Sequence, residues 1–445
     1  MRPHVSPRVL WWASAALATS AALSISAVPA IASTAAPATT AVSRTISPDT
    51  RFFLPPPSSG APQQVAALLK SHDPKDAALI AKMEAIPRAV WFTSGTPAQV
   101  HQQVRQTMAE AALERAVPVL VAYDIPGRDC AQYSAGGALD EAAYDAWIDS
   151  FTAGIGNRQA VVILEPDSLG LLPSNCGGPS ANYPFSDDER YAEIQHAVTA
   201  LEADPGVSVY LDGTHSAWLA VGDMTHRLLT AGVQQAQGFY VNLSNYQPTP
   251  NLVDYGTWIS DCIAMVTQNS FNPANCGSQY YPANPSDFST WGLTTAWYAA
   301  NMGGAVATIH FVVDTSRNGD GPNGMGRYAN APYNQPASVI ATLASGNWCN
   351  PPDSGLGLKP TASTGVPLLD AYLWVKTPGQ SDGQCDSAGG VRAWDYTAYT
   401  QPGWPADAAG QALFDPLWGI DDPAAGAWFP QQALQLAQDA TPALP

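Results

Sequence analysis

None of the six cysteines forms a C-x-x-C pair, and none of the seven histidines has H-E-x-x-H spacing, so the chain carries no zinc signature and no metal is expected. Basic residues are scarce. Only 19 Lys and Arg stand against 37 Asp and Glu, a formal charge of -18 that repels nucleic acid and anionic membranes and leaves neither expected as a partner. There is no internal repeat, and beyond the N-terminus no apolar run is long enough to cross a bilayer. These absences leave a chain suited to a neutral substrate, read as a monomer without a cofactor.

At the N-terminus, Arg2 and Arg8 precede an apolar stretch from Val9 to about Val28, and Ala30-Ile31-Ala32 supplies an A-x-A cleavage site. That pattern predicts a signal peptide over residues 1–32 and a secreted, extracellular protein. Removing it takes away two arginines and no acids, moving the formal charge from -18 to about -20. Residues 33–48 are almost all Ala, Thr, Ser and Pro, a composition unable to bury a core, and are read as a leader or linker. Residues 49–445 are expected to form a single domain. Six cysteines in a secreted chain imply three disulfides, with the connectivity open.

Six short apolar runs follow: Val119 to Tyr123, Val161 to Leu164, Val207 to Leu211, Phe239 to Leu243, Ile309 to Val313 and Tyr372 to Val375. Runs without alternation suit strands buried on both faces. Their ends carry Asp124, Glu165, Asp212, Asn245, Asp314 and Lys376. In a parallel α/β barrel, chemistry collects at the carboxyl ends of the strands, whose loops converge on one rim. Helical signals fall between the runs. Ser186 and Glu189 form a capping box ahead of Tyr191, Ile194, Val198 and Leu201, and Asp140 can cap a helix with an apolar face of Tyr144, Trp147, Ile148 and Phe151. Two stretches read as long loops, one from Tyr246 to Phe311 and one from Cys385 to Trp428.

Five acids, Asp129, Glu165, Asp167, Asp212 and Asp382, lie at or beyond strand ends. Carboxylates gathered at one mouth push one another's pKa values apart, so one can hold a proton while another stays charged, as glycoside hydrolysis requires. Two failed motifs narrow the choice. Asp314-Thr315-Ser316 has no second copy to make an aspartic protease dyad, and a calcium loop starting at Asp314 meets Met325 where a bidentate Glu is needed.

The segments Val121 to Ala131 with Ser134 to Gly137, and Val161 to Leu169, resemble the two signatures of the glycoside hydrolase family 6 cellulases. Further matches follow in order: Tyr210-Leu211-Asp212 with His215 and Trp218, Asn242 to Tyr246, Asp314 to Gly319, Asn347 to Pro351, and Leu373 to Lys376 with Gly379, Asp382 and Gly383. The resemblance runs from Arg88 to the C-terminus. It implies an α/β fold, a distorted and incomplete parallel β/α barrel (TIM-like) with long loops over its C-terminal face, and inverting attack on internal β-1,4-glucosidic bonds of cellulose. A processive cellobiohydrolase is the alternative within the family, and an inactive glucan-binding protein the alternative outside it.

By motif position, the resemblance makes Asp167 the general acid, Asp129 the group that raises its pKa and resupplies its proton, and Asp382 the base, acting directly or through water and Ser134. Arg128 would fix local geometry and Glu165 would orient its loop. Trp91, Trp218 and Trp348 match sugar platforms, and Tyr123 lies beneath the distorted sugar. Asp212, His215, Asn245, Lys376 and Gln380 complete the substrate-binding set. Gln380 stands where the family usually has Glu, and Gly213-Thr214 where it has Ala-Gly. The resemblance pairs Cys130 with Cys176 and Cys349 with Cys385, which leaves Cys262 for Cys276, each bond tethering a loop at the mouth.

Overall fold

The apolar runs become strands because both of their faces are covered. The computed structural model describes residues 46–131, 134–180, 183–322, 324–343, 347–384 and 415–445. The expected signal peptide and nearly all of the leader lie outside the described residues, as does Cys385 with most of the second long stretch. Seven parallel strands run β1 Val90–Phe92, β2 Val119–Ala122, β3 Ala160–Leu164, β4 Val207–Asp212, β5 Gly238–Val241, β6 His310–Asp314 and β7 Leu369–Leu373, paired in sequence order. The sheet curls into a half-barrel. The helices are α1 Ala61–Lys70, α2 Pro74–Glu84, α3 Pro97–Glu114, α4 Glu141–Ile155, α5 Asp187–Glu202, α6 Val221–Thr230, α7 Thr249–Asn269, α8 Gly292–Asn301, α9 Ala337–Leu343 and α10 Pro430–Gln438.

Strand parity divides the core. Val119, Val121, Val161, Ile163, Tyr210, Tyr240, Val312 and Ala371 form the cluster inside the curl, which among the described residues contains no helical side chain. Leu120, Ala122, Val162, Leu164, Val209, Leu211, Phe239, Val241, Phe311 and Val313 pack outward against the helices. A third cluster gathers α1, α2 and α10 around Trp374 and Leu356. Both expected helix starts are present, with Ser186 and Glu189 exchanging capping bonds at α5 and Asp140 accepting from Ala143 N at α4. At Gly238 a side chain is impossible, since a Cβ there would stand 1.8 Å from the His310 carbonyl oxygen of the neighbouring strand.

Three expectations are corrected. β1 was not expected, because three residues are too few to show a pattern. It stands at the open edge opposite β7, where Ala89 N donates to Trp374 O at 2.9 Å and Trp91 Nε1 to Val375 O at 2.8 Å. The last strand is Leu369–Leu373 rather than Tyr372 to Val375. Asp370 concealed it by interrupting the apolar run, yet it is buried and satisfied by Tyr210 Oη at 2.6 Å, Gln237 Nε2 at 2.8 Å and His310 Nδ1 at 2.7 Å. The stretch from Tyr246 to Phe311 is largely helical. α7 occupies 21 residues of it and buries Leu252, Tyr255, Trp258, Ile259, Cys262 and Ile263 at helical spacing.

Disulfides join Cys130 to Cys176 and Cys262 to Cys276, as expected. Cys349 is also disulfide-bonded, and the Cys385 expected as its partner lies outside the described residues. Cys262 sits well inside α7 rather than on a mouth loop, so that bond staples the excursion after α7 back onto the helix. The bond closes a sequence separation of 14 residues, and replacing both cysteines by Ala should lower the unfolding free energy by about 3 kcal/mol, the cost of freeing such a loop. A urea titration reads this directly. An unchanged midpoint would contradict it.

Candidate active site

At three strand ends a buried carboxylate is consumed by backbone amides of a neighbouring loop. Glu165, just past β3, accepts from Asp124 N at 3.0 Å and Ile125 N at 3.0 Å, which holds the loop after β2. Asp212, ending β4, accepts from Leu169 N at 3.1 Å, Gly170 N at 2.9 Å and Thr214 N at 2.8 Å, and so holds the loop after β3. Asp314, ending β6, accepts from Ser244, Ser316, Val375 and Lys376 amides at 3.0 to 3.1 Å, tying the loops after β5 and β7 together. None of the three lines the cleft. Asp212, expected to assist binding and electrostatics, holds the Asp167 loop from beneath, and its charge is the largest of those that raise Asp167.

The loops held this way are strained. Asp129, Cys130, Glu165 and Asp167 all have left-handed backbone, with φ of 54°, 48°, 45° and 62°. Such conformations cost energy in a non-glycine residue and persist only where the surroundings enforce them. Here the amide bonds to Glu165 and the Cys130–Cys176 bond do so.

Asp167 and Asp129 face the same cleft. Burial first, then the charges of Asp212, Asp129 and Asp382, pushes the Asp167 carboxyl well above its ordinary value, with Lys376 opposing. Asp129 is also raised by burial, against two bonds from Ser134, whose amide and hydroxyl both donate at 2.8 Å. Tyr123 Oη donates to Ser134 Oγ at 3.4 Å, and the Arg128 guanidinium lies 4.6 Å from the Tyr123 ring centre. Arg128 itself donates to the carbonyls of Thr93, Tyr123 and Ser134, so it fixes this corner. The Ser134 hydroxyl proton is committed to Asp129.

Asp382 has the opposite character. Burial works against its charge, but Arg317 Nη1 at 2.9 Å and Lys376 Nζ at 3.1 Å outweigh it and hold the carboxyl down at about 2. Tyr246 Oη at 3.3 Å and Asn350 N at 3.0 Å complete its shell. Asn350 is fully buried, and its side chain accepts from Asp382 N at 2.8 Å while donating to Asp422 at 2.8 Å. Asp422 in turn hydrogen-bonds Asp415. Burial raises Asp415 to about 7 against its bond with Asp422, and burial together with the charge of Asp415 raises Asp422, so this buried pair retains a proton between its two carboxyls.

The cleft has a volume of about 770 Å³ and is lined by Trp91, Tyr123, Asp129, Asp167, His215, Trp218, Asn245, Trp348, Lys376, Gln380 and Asp382, all expected from sequence. The Lys376 ammonium, expected to meet substrate, is engaged by Asp382 and by Ser381 O at 3.2 Å. His215 is lowered by burial to about 4 and stays neutral, its Nδ1 accepting from Ala217 N at 3.2 Å. The supporting residues Arg317, Tyr246 and Asn350 stood inside matched segments without an assigned role. Asp415 and Asp422 had no sequence signal.

Comparison with known proteins places this geometry. The profile of Glycosyl hydrolases family 6 matches residues 47–440. Endoglucanase A of Thermobispora bispora is 31% identical over 349 residues, covering 77% of this chain; the chain spans only 60% of that protein's length. The 1,4-beta-D-glucan cellobiohydrolase C of Emericella nidulans is 27% identical, covering 80% of this chain and 70% of its own length. The solved endoglucanase Cel6 of Mycobacterium tuberculosis, in complex with methyl-cellobiosyl-4-deoxy-4-thio-beta-D-cellobioside, superposes with a TM-score of 0.59 at 30% identity, over 88% of this chain and 97% of that one.

The buried acids make stability depend on pH. A carboxyl whose pKa is higher in the folded than in the unfolded chain binds its proton more tightly when folded, so stability falls as pH rises between the two values. Burial raises Asp124 to about 7 and Glu165 and Glu193 each to about 8, from ordinary values of 3.8 and 4.5. The melting temperature should therefore fall from about pH 5 to about pH 8. Calorimetric scans showing it flat or rising over that window would contradict the burial assigned to these acids.

Proposed function

The chain belongs to glycosyl hydrolases family 6, and from that membership we propose that it is a secreted β-1,4-glucanase that cleaves internal bonds of cellulose with inversion. The observation that carries the reading is the pair of opposed carboxyls on one cleft, Asp167 holding its proton and Asp382 held ionised. In the proposed cycle a glucan chain lies across Trp91, Trp218 and Trp348, whose broad rings suit the apolar faces of sugars. Neutral His215, Asn245 and Gln380 meet hydroxyls. Asp167 gives its proton to the leaving glycosidic oxygen as positive charge develops at the anomeric carbon.

A water attacks the opposite face of that carbon, and its proton passes toward Asp382. Two cations make Asp382 a weak base, so its charge also serves to stabilise the developing cation. Asp129, beside Asp167, raises its proton affinity and returns its proton after turnover. Secretion rests on the N-terminal pattern, and among the described residues no helix is long and apolar enough to cross a membrane.

Asp167→Asn should lower kcat on unactivated glucan by about 10² to 10⁴ while leaving oligosaccharide binding nearly intact, because the proton acts only in the transition state. Steady-state kinetics with calorimetric binding separates the two effects, and near-normal turnover would sink the assignment. Internal cleavage should drop the viscosity of a soluble substituted cellulose well ahead of reducing-end release. Cellobiose released without a viscosity drop would identify the processive cellobiohydrolase instead. Proton NMR of the first product should show the α-anomer; initial β-anomer would require a covalent intermediate and remove Asp382 from the base role.

A further inference from the structure

Large apolar side chains left in solvent concentrate in one segment of the chain that does not line the cleft. Among the described residues eight are strongly exposed, and four of them, Tyr280 at 43%, Tyr281 at 76%, Phe288 at 52% and Leu293 at 54%, fall in the excursion between α7 and the end of α8. The backbone under the two tyrosines is firmly anchored. The Cys262–Cys276 bond fixes the entry, Gln279 is fully buried with Nε2 donating to Leu219 O at 2.8 Å, and Ser278 N donates to Tyr281 O at 2.6 Å. Thr294 Oγ1 donates to Ser278 O at 2.8 Å from the far side. A fixed backbone presenting exposed aromatic rings loses little conformational entropy when a ligand stacks on them.

Tyr280 is joined to the wall of the cleft. Tyr280 Oη donates to the Trp218 carbonyl at 2.9 Å, and the Trp218 side chain lines the cleft, packed where a Cβ on Gly170 would stand 2.6 Å from its ring. The surface charge of the chain is strongly negative, which disfavours an anionic polymer as occupant. We propose that Tyr280 and Tyr281 form an outer binding site for a neutral β-1,4-glucan chain, engaging the portion that passes beyond Trp218. The inference rests on the glucanase reading and adds to it a dependence on chain length. Short oligosaccharides that end at Trp218 do not reach the tyrosines, whereas polymer does.

The test compares wild type with Tyr280→Ala/Tyr281→Ala on cellotetraose and on a soluble substituted cellulose, with affinity electrophoresis through the same polymer as a second readout. The double variant should lower the ratio of polymer to cellotetraose kcat/KM about fivefold and lose a similar factor of retardation in the gel, the loss expected of aromatic stacking near 1 kcal/mol. An unchanged ratio and unchanged retardation would overturn the outer site. Tyr280→Phe keeps the ring and removes only the bond to the Trp218 carbonyl; if it lowers the ratio as far as the double variant does, the tyrosines act as scaffold and the proposal fails. A wild type inactive on both glucans would sink the glucanase reading, and the gel would still decide the outer site.

Discussion

The structure of the mouth depends on buried carboxylates accepting backbone amides. A carboxyl group offers several acceptor sites, so one buried side chain can take bonds from two or more backbone amides. Glu165 and Asp212 spend that capacity largely on the loop of the preceding strand, and Asp314 joins the loops after β5 and β7, so each of these loops is fastened to a neighbouring strand's end. The left-handed backbone at Asp129 and Asp167 is tolerated because these bonds hold the chain on either side. The acids that serve as fasteners do not line the cleft. Asp129, Asp167 and Asp382 are the members of the strand-end set that remain open to the cleft.

Those remaining acids are told apart by their neighbours. Asp167 sits among Asp129, Asp212 and Asp382, so losing its proton would place another negative charge in a buried, already negative corner. Asp382 sits between Arg317 and Lys376, and its second support is the Asn350 side chain, held in turn by Asp422, Ser381 and the Gly383 carbonyl. The two carboxyls, one holding its proton and one ionised, thus differ by their surroundings alone.

Sequence reading found most of this architecture where the signal was local and lost it where partners were distant. Strands β2 to β6 were legible because both faces are apolar, and the Asp140 and Ser186 caps because three residues define them. Asp370 hid β7, since nothing in the sequence announces that Tyr210, Gln237 and His310 will satisfy a carboxyl inside a strand. Asp212 was placed at the right rim, but its bonds to the Leu169, Gly170 and Thr214 amides were not legible, because a strand-end acid facing solvent and one facing amides look alike in one dimension. The Asp415–Asp422 pair was silent for the same reason, its partner Asn350 lying some seventy residues away in the chain.

The most direct test of this account is the protonation of Asp167 itself. Infrared difference spectra between wild type and Asp167→Asn, and separately between wild type and Asp382→Asn, recorded at neutral pH, isolate each carboxyl from the other buried acids. The account predicts that the first difference contains the carbonyl band of a protonated carboxyl and the second only the bands of an ionised carboxylate. An ionised signature for Asp167, or a protonated one for Asp382, would contradict it.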